Sequence, residues 1–118
     1  MSARPVVAVL LRMPLVLEGL HDELSRVANV RALVVGEGET SGLLASIQPD
    51  AVLVDHEESA EAALTFARAT GAPAIHVRLP ERQLEVVRAG EWRLEGAEPS
   101  PESIRNLLAG ELSGKAHA

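Results

Sequence analysis

Residues 79 to 96 read "LPERQLEVVRAGEWRLEG", and the fold turns on whether they form a helix followed by a strand or the two arms of a hairpin. As a helix, residues 80 to 89 bury Leu84 and Val87, stop at Gly90 and leave "EWRL" as a strand. As a hairpin, the arms are Gln83–Arg88 and Glu91–Glu95, with the turn at Ala89 and Gly90. Apolar and charged residues alternate through Leu84, Glu85 and Val86, and again through Trp92, Arg93 and Leu94. That two-residue period, with valines in the first arm, favours the hairpin.

Upstream, apolar runs of strand length alternate with helical spacing. Val6–Leu11 is the first run; Leu17, Leu20, Leu24 and Val27 then recur at helical spacing after Pro14. The second run, residues 30 to 35, precedes a short helix with Thr40 or Ser41 as its cap, Leu43, Leu44 and Ile47 inward, and Pro49 as its stop. Ala51–Val54 ends in Asp55, after which Ser59 can cap an alanine-rich helix closing at Gly71. Residues 74 to 79 make a fourth strand. Three strand-helix units with short connections imply right-handed crossovers and an open parallel sheet, an α/β fold. Near the end, Ser100, Pro101 and Glu102 form a helix start that turns Ile104, Leu107, Leu108 and Leu112 inward. The expected organisation is one domain over residues 1 to 112 and a disordered tail over 113 to 118.

Composition narrows the function. At 118 residues the chain fits one domain with one real core, and 47% hydrophobic residues with only 2% aromatics mean that Val, Leu, Ile and Ala fill it. A formal charge of −6 without a Lys/Arg run argues against nucleic-acid binding by this chain alone. Absence of cysteine excludes thiol catalysis and cysteine-ligated metal. No cleavage site follows the short N-terminal apolar run, and charges recur too soon for a membrane span, so a cytoplasmic protein is expected.

"MPLVLEGL" after the first strand, "PDAVLVD" on the third and the closing "SPESIRNLL" resemble the receiver domain of bacterial two-component response regulators, most closely receivers that precede a LuxR-type helix-turn-helix. The resemblance implies a flavodoxin-like, CheY-like parallel sheet of order 2-1-3-4-5 flanked by helices, with the fourth helix replaced by the hairpin. It also implies a phosphate-accepting aspartate at Asp55. A working receiver needs two acids after the first strand, but Leu11 and Arg12 stand there; its hydroxyl position falls at Arg78; its lysine has no counterpart, since the only lysine is Lys115.

Magnesium takes hard oxygen ligands and normally enlists carboxylates. Arg12 reverses that charge, so Asp55 is expected to be a vestigial acceptor, with no metal, no cofactor and no catalysis. A bidentate Arg12–Asp55 ion pair in place of the metal is one expectation, and Asp55 bonded to loop amides with Arg12 solvated is the other. Glu37, Glu39, Glu57 and Glu58 gather at the same edge and are expected to be solvated or to sit near helix N-termini. His56 is expected to face away from Asp55, and His21 and His76 to be surface or satisfied core residues.

The leading functional expectation is a pseudo-receiver: a phosphorylation-independent protein-interaction and signalling module with a protein partner or a homodimer. The alternatives are a residual Asp55 phosphoacceptor in a phosphorelay and a cleft with Arg12 and Arg78 at its mouth that binds a small anion. The hairpin is expected to extend the sheet antiparallel with an exposed edge and to be the interface, through Trp92, Leu84 and Val86; alternatively Trp92 packs on the last helix.

Overall fold

The computed structural model describes residues 4–12, 19–36, 38–78, 81–96 and 98–117. Six strands form one sheet: β1 (Val6–Leu11), β2 (Asn29–Val34), β3 (Ala51–Val54), β4 (Ala74–Arg78), β5 (Gln83–Arg88) and β6 (Glu91–Glu95). Four helices complete it: α1 (Leu20–Ser25), α2 (Thr40–Ile47), α3 (Glu57–Thr70) and α4 (Pro101–His117). The sheet order is β2-β1-β3-β4-β5-β6.

β1 to β4 pair in parallel, whereas β5 runs antiparallel to β4 and β6 antiparallel to β5. The expected parallel sheet of order 2-1-3-4-5 is therefore corrected to a mixed sheet of six strands. The cause is chain length. Only residues 79 to 82 lie between β4 and β5, and a parallel crossover needs a dozen residues or more. The hairpin reading holds over its full extent. Ala89 and Gly90 take φ of 55° and 77°, the paired left-handed conformation of a two-residue turn whose twist matches that of its strands.

Each face of the sheet buries its own cluster. On one, Val7, Val9, Leu11, Leu53, Ile75, Val77, Leu84 and Val86 pack under Leu20 and Leu24 of α1 and Ile104 and Leu108 of α4. On the other, Ala8, Leu10, Val52, Val54 and Ala74 meet Leu44 of α2 and Ala60, Ala63 and Ala67 of α3. Small alanines on α3 let the helix lie close to the strands, which suits a chain so poor in aromatics. All four residues of β3 are buried, as in a strand covered on both faces.

Local signals met mixed fates. Ser100 caps α4 as expected, its Oγ accepting the Ser103 amide at 3.0 Å. Gly71 closes α3 at φ 78°. Thr40 and Ser59 are not caps: Glu39 and His56 hold those positions, without side-chain cap bonds. α4 continues to His117, through the stretch from residue 113 that the sequence reading gives to a tail. Leu17 lies outside the described residues. Among them, no helix is long and apolar enough to cross a membrane.

Candidate functional site

The C-terminal ends of β1, β3 and β4 bring Arg12, Asp55 and Arg78 to one edge of the sheet, where open α/β folds place their ligands. Asp55 follows β3 directly, and its side chain is only 3% exposed. Its Oδ1 accepts the Arg12 backbone amide at 2.9 Å. The guanidinium of Arg12 instead lies 3.7 Å from Glu58, both side chains being well exposed. The expected bidentate ion pair is thus replaced by an amide-to-carboxylate bond, the second of the two sequence expectations in its main-chain part. Leu11, the other position where the resemblance asks for an acid, is fully buried in the core.

His56 overturns the expectation that it faces away. Its Nδ1 lies 3.2 Å from Asp55 Oδ1, and its Nε2 lies 3.1 Å from Ser59 Oγ. Ser59 Oγ is in turn 2.7 Å from Thr40 Oγ1. The adjacent pair can meet because His56 is extended, at φ −147° and ψ 164°, just before α3 begins. That brings its ring back over both the strand end and the first helical turn. A ring protonated at Nδ1 satisfies the whole chain: it donates to Asp55, accepts from Ser59, and leaves Ser59 to accept from Thr40.

Carboxylate, imidazole and hydroxyl in this order are the parts of an activated nucleophile. Here Ser59 is 0% exposed and Thr40 2%. A hydroxyl enclosed this way has no room for a substrate carbonyl, so the chain of bonds ties α2 and α3 to the end of β3. Ser59→Ala should cost about 1–2 kcal/mol, because it leaves buried partners unmatched, while adding Thr40→Val should cost less than the separate losses summed. Urea unfolding of the two single variants and the double variant checks this. Additive losses would mean that the hydroxyls act separately.

Arg78, at the end of β4, faces three glutamates: Glu81 at 3.4 Å, Glu85 at 3.5 Å and Glu57 at 3.6 Å. Burial by itself would lower its pKa, but the carboxylates of Glu81, Glu85 and Glu57 outweigh that and raise it. Its charge is therefore already balanced by protein. Glu85 also accepts from or pairs with His76 Nδ1 at 3.1 Å. His76 is 3% exposed, a satisfied core histidine, as one of its two expected roles had it.

Of the two places expected for these acids, helix N-termini hold three of them, Glu57 and Glu58 in the first turn of α3 and Glu39 at the N-cap of α2, and each has a definite partner. Glu39 accepts the Gly36 amide and Glu58 the Gly38 amide; Glu57 faces Arg78. Glu37 lies outside the described residues. Among those described, no group of three or more acidic or histidine side chains could hold a metal ion. A cleft of about 550 Å³, lined by Arg68, Pro73, Arg88, Gly90 and Glu111 among others, opens beside the hairpin turn, at the opposite end of the strands from Asp55.

The hairpin interface needs correction. Leu84 and Val86 are fully buried and belong to the cluster under α1 and α4. They point inward because a strand's alternate residues share one face. Trp92 is half-buried on the other face, against the α2/α3 cluster, its ring centroid 5.7 Å from that of His76. It therefore does not pack on α4. The exposed apolar residue of β6 is Leu94, which alternation from Trp92 places on the same face. Comparison with protein-family models, curated proteins and solved structures returns no match to this chain.

Proposed function

We propose that the chain is a receiver-like interaction module that signals without phosphorylation of Asp55. The observation that carries this reading is the engagement of the Asp55 carboxylate by the Arg12 amide and the His56 ring. Both contacts fall on Oδ1, and a phosphoacceptor in addition needs a metal held by neighbouring acids. At the positions where a receiver carries its metal-binding acids and its hydroxyl, this chain has a buried leucine and two arginines, each arginine already facing glutamate. The same pairing argues against an anion cleft, since Arg12 and Arg78 face carboxylates of their own protein.

The reading is tested by incubating the protein with acetyl phosphate and magnesium and measuring its intact mass. The protein should stay unmodified, with its unfolding midpoint unchanged by the donor. A phosphoryl adduct that disappears in Asp55→Asn would return the chain to the phosphorelay class.

A further inference from the structure

Among the described residues the sheet has two unpaired edges, β2 and β6. Among the described residues the two exposed large hydrophobic side chains lie one on each: Val34 at 58% and Leu94 at 61%. An edge strand offers unpaired amides and carbonyls to another chain, and proteins guard such edges or use them. β2 carries one charged residue, Arg31, in "NVRALV", and so has nothing to select one pairing register. β6 reads "EWRLE" and does.

The direction of its backbone groups follows from the turn. Arg88 and Glu91 flank the two-residue turn opposite each other, so they form a hydrogen-bonded pair, and pairs alternate from there. Glu91, Arg93 and Glu95 therefore bond to β5, while the amides and carbonyls of Trp92 and Leu94 point to the open edge. A second β6 arriving antiparallel must set Trp92 and Leu94 against their like, which allows registers centred on Trp92, Arg93 or Leu94.

Charge separates the three. Centred on Arg93, the pairing opposes Arg93 to Arg93 and Glu91 to Glu95, and like charges directly opposite are destabilising. Centred on Trp92, it opposes Glu91 to Arg93 but leaves Leu94 facing a glycine. Centred on Leu94, it sets Arg93 against Glu95 twice, in addition to the pairs that Arg93 makes with Glu91 and Glu95 with Arg88 within the hairpin. It also covers the exposed leucine with its own counterpart, and leaves facing a glycine only Trp92, which is already half-buried on its own sheet. We propose that β6 pairs with β6 of a second copy of this chain in the Leu94-centred register, joining two sheets into one. The inference stands apart from the reading of Asp55, and its readout involves no phosphoryl donor. A contact of one short strand per chain belongs to the small, transient class of interfaces, so the dimer forms at high protein concentration.

Sedimentation equilibrium of the full chain over a wide concentration range tests it. The wild type should show a monomer–dimer equilibrium. Arg93→Glu and Glu95→Arg should each weaken association about tenfold or more, by turning two attractive cross-strand pairs repulsive. Mixing the two variants should restore it, since each cross-strand pair then again joins one carboxylate to one guanidinium, and so should carrying both changes in one chain. Restoration by mixing cannot come from misfolding. Leu94→Pro removes an outward amide without touching the β5 ladder and should leave a folded monomer by circular dichroism. A wild type monomeric at every concentration, a Glu95→Arg variant that associates normally, or a double variant that stays monomeric would each overturn the proposal.

Discussion

Leu84→Ala is expected to destabilise the fold by about 2–5 kcal/mol, the range for removing a buried leucine side chain and leaving part of its cavity open. Leu84 is fully buried between β4 and β6, facing α1 and α4. Its packing joins the hairpin to the parallel half of the sheet, so the loss falls where two parts of the fold meet. Against a typical total of about 5–15 kcal/mol such a loss is a large fraction. Urea unfolding followed by circular dichroism measures it. Leu94→Ala, on the exposed face of β6, should stay within about 0.5 kcal/mol at low protein concentration. Equal small effects at the two positions would mean that Leu84 is a surface residue.

Asp55→Ala should cost about 1.5–3 kcal/mol, because it removes an acceptor for the Arg12 amide and for His56 in a place nearly closed to water. Asp55→Asn keeps a carbonyl oxygen in the same position and should cost less. Arg12→Ala should lie within about 0.5 kcal/mol of the wild type, since it keeps the amide and loses only an exposed ion pair with Glu58. This order separates a carboxylate held by backbone from one held by a guanidinium: in the second case Arg12→Ala would approach Asp55→Ala. Unfolding with and without magnesium extends the test to function. The wild-type midpoint should not move, whereas stabilisation by magnesium would show that the site binds the ion and would count against a phosphorylation-independent module.

Strand and helix placement was legible in the sequence wherever one physical signal dominated. Apolar runs marked β1 to β4, glycine closed α3, and Ser100 with Pro101 opened α4. The hairpin was legible because alternation and turn residues agreed over Gln83–Arg88 and Glu91–Glu95. Its antiparallel extension of the sheet came with the hairpin reading, and the short span of residues 79 to 82 requires it, whereas the resemblance to receivers implied a parallel sheet. Buried Leu84 and Val86 were misassigned to an interface because alternation says which residues share a face, not which face is covered.

At Asp55 the sequence by itself determined which residues were present and, through the strand pattern, which edge they reached. It identified the missing acids at Leu11 and Arg12, and with them the loss of ordinary magnesium chemistry. Only the tertiary structure decided what took their place. Spacing along a chain carries no information on whether a contact is made by a side chain or by the backbone beneath it, so the Arg12 amide was not distinguishable from its guanidinium. Nor could it join Thr40 to Ser59, whose hydroxyls lie 2.7 Å apart because α2 and α3 pack over the same face of the sheet. Both residues read locally as helix caps, and burial between two helices outweighed that local preference by giving each hydroxyl a partner that water could not supply.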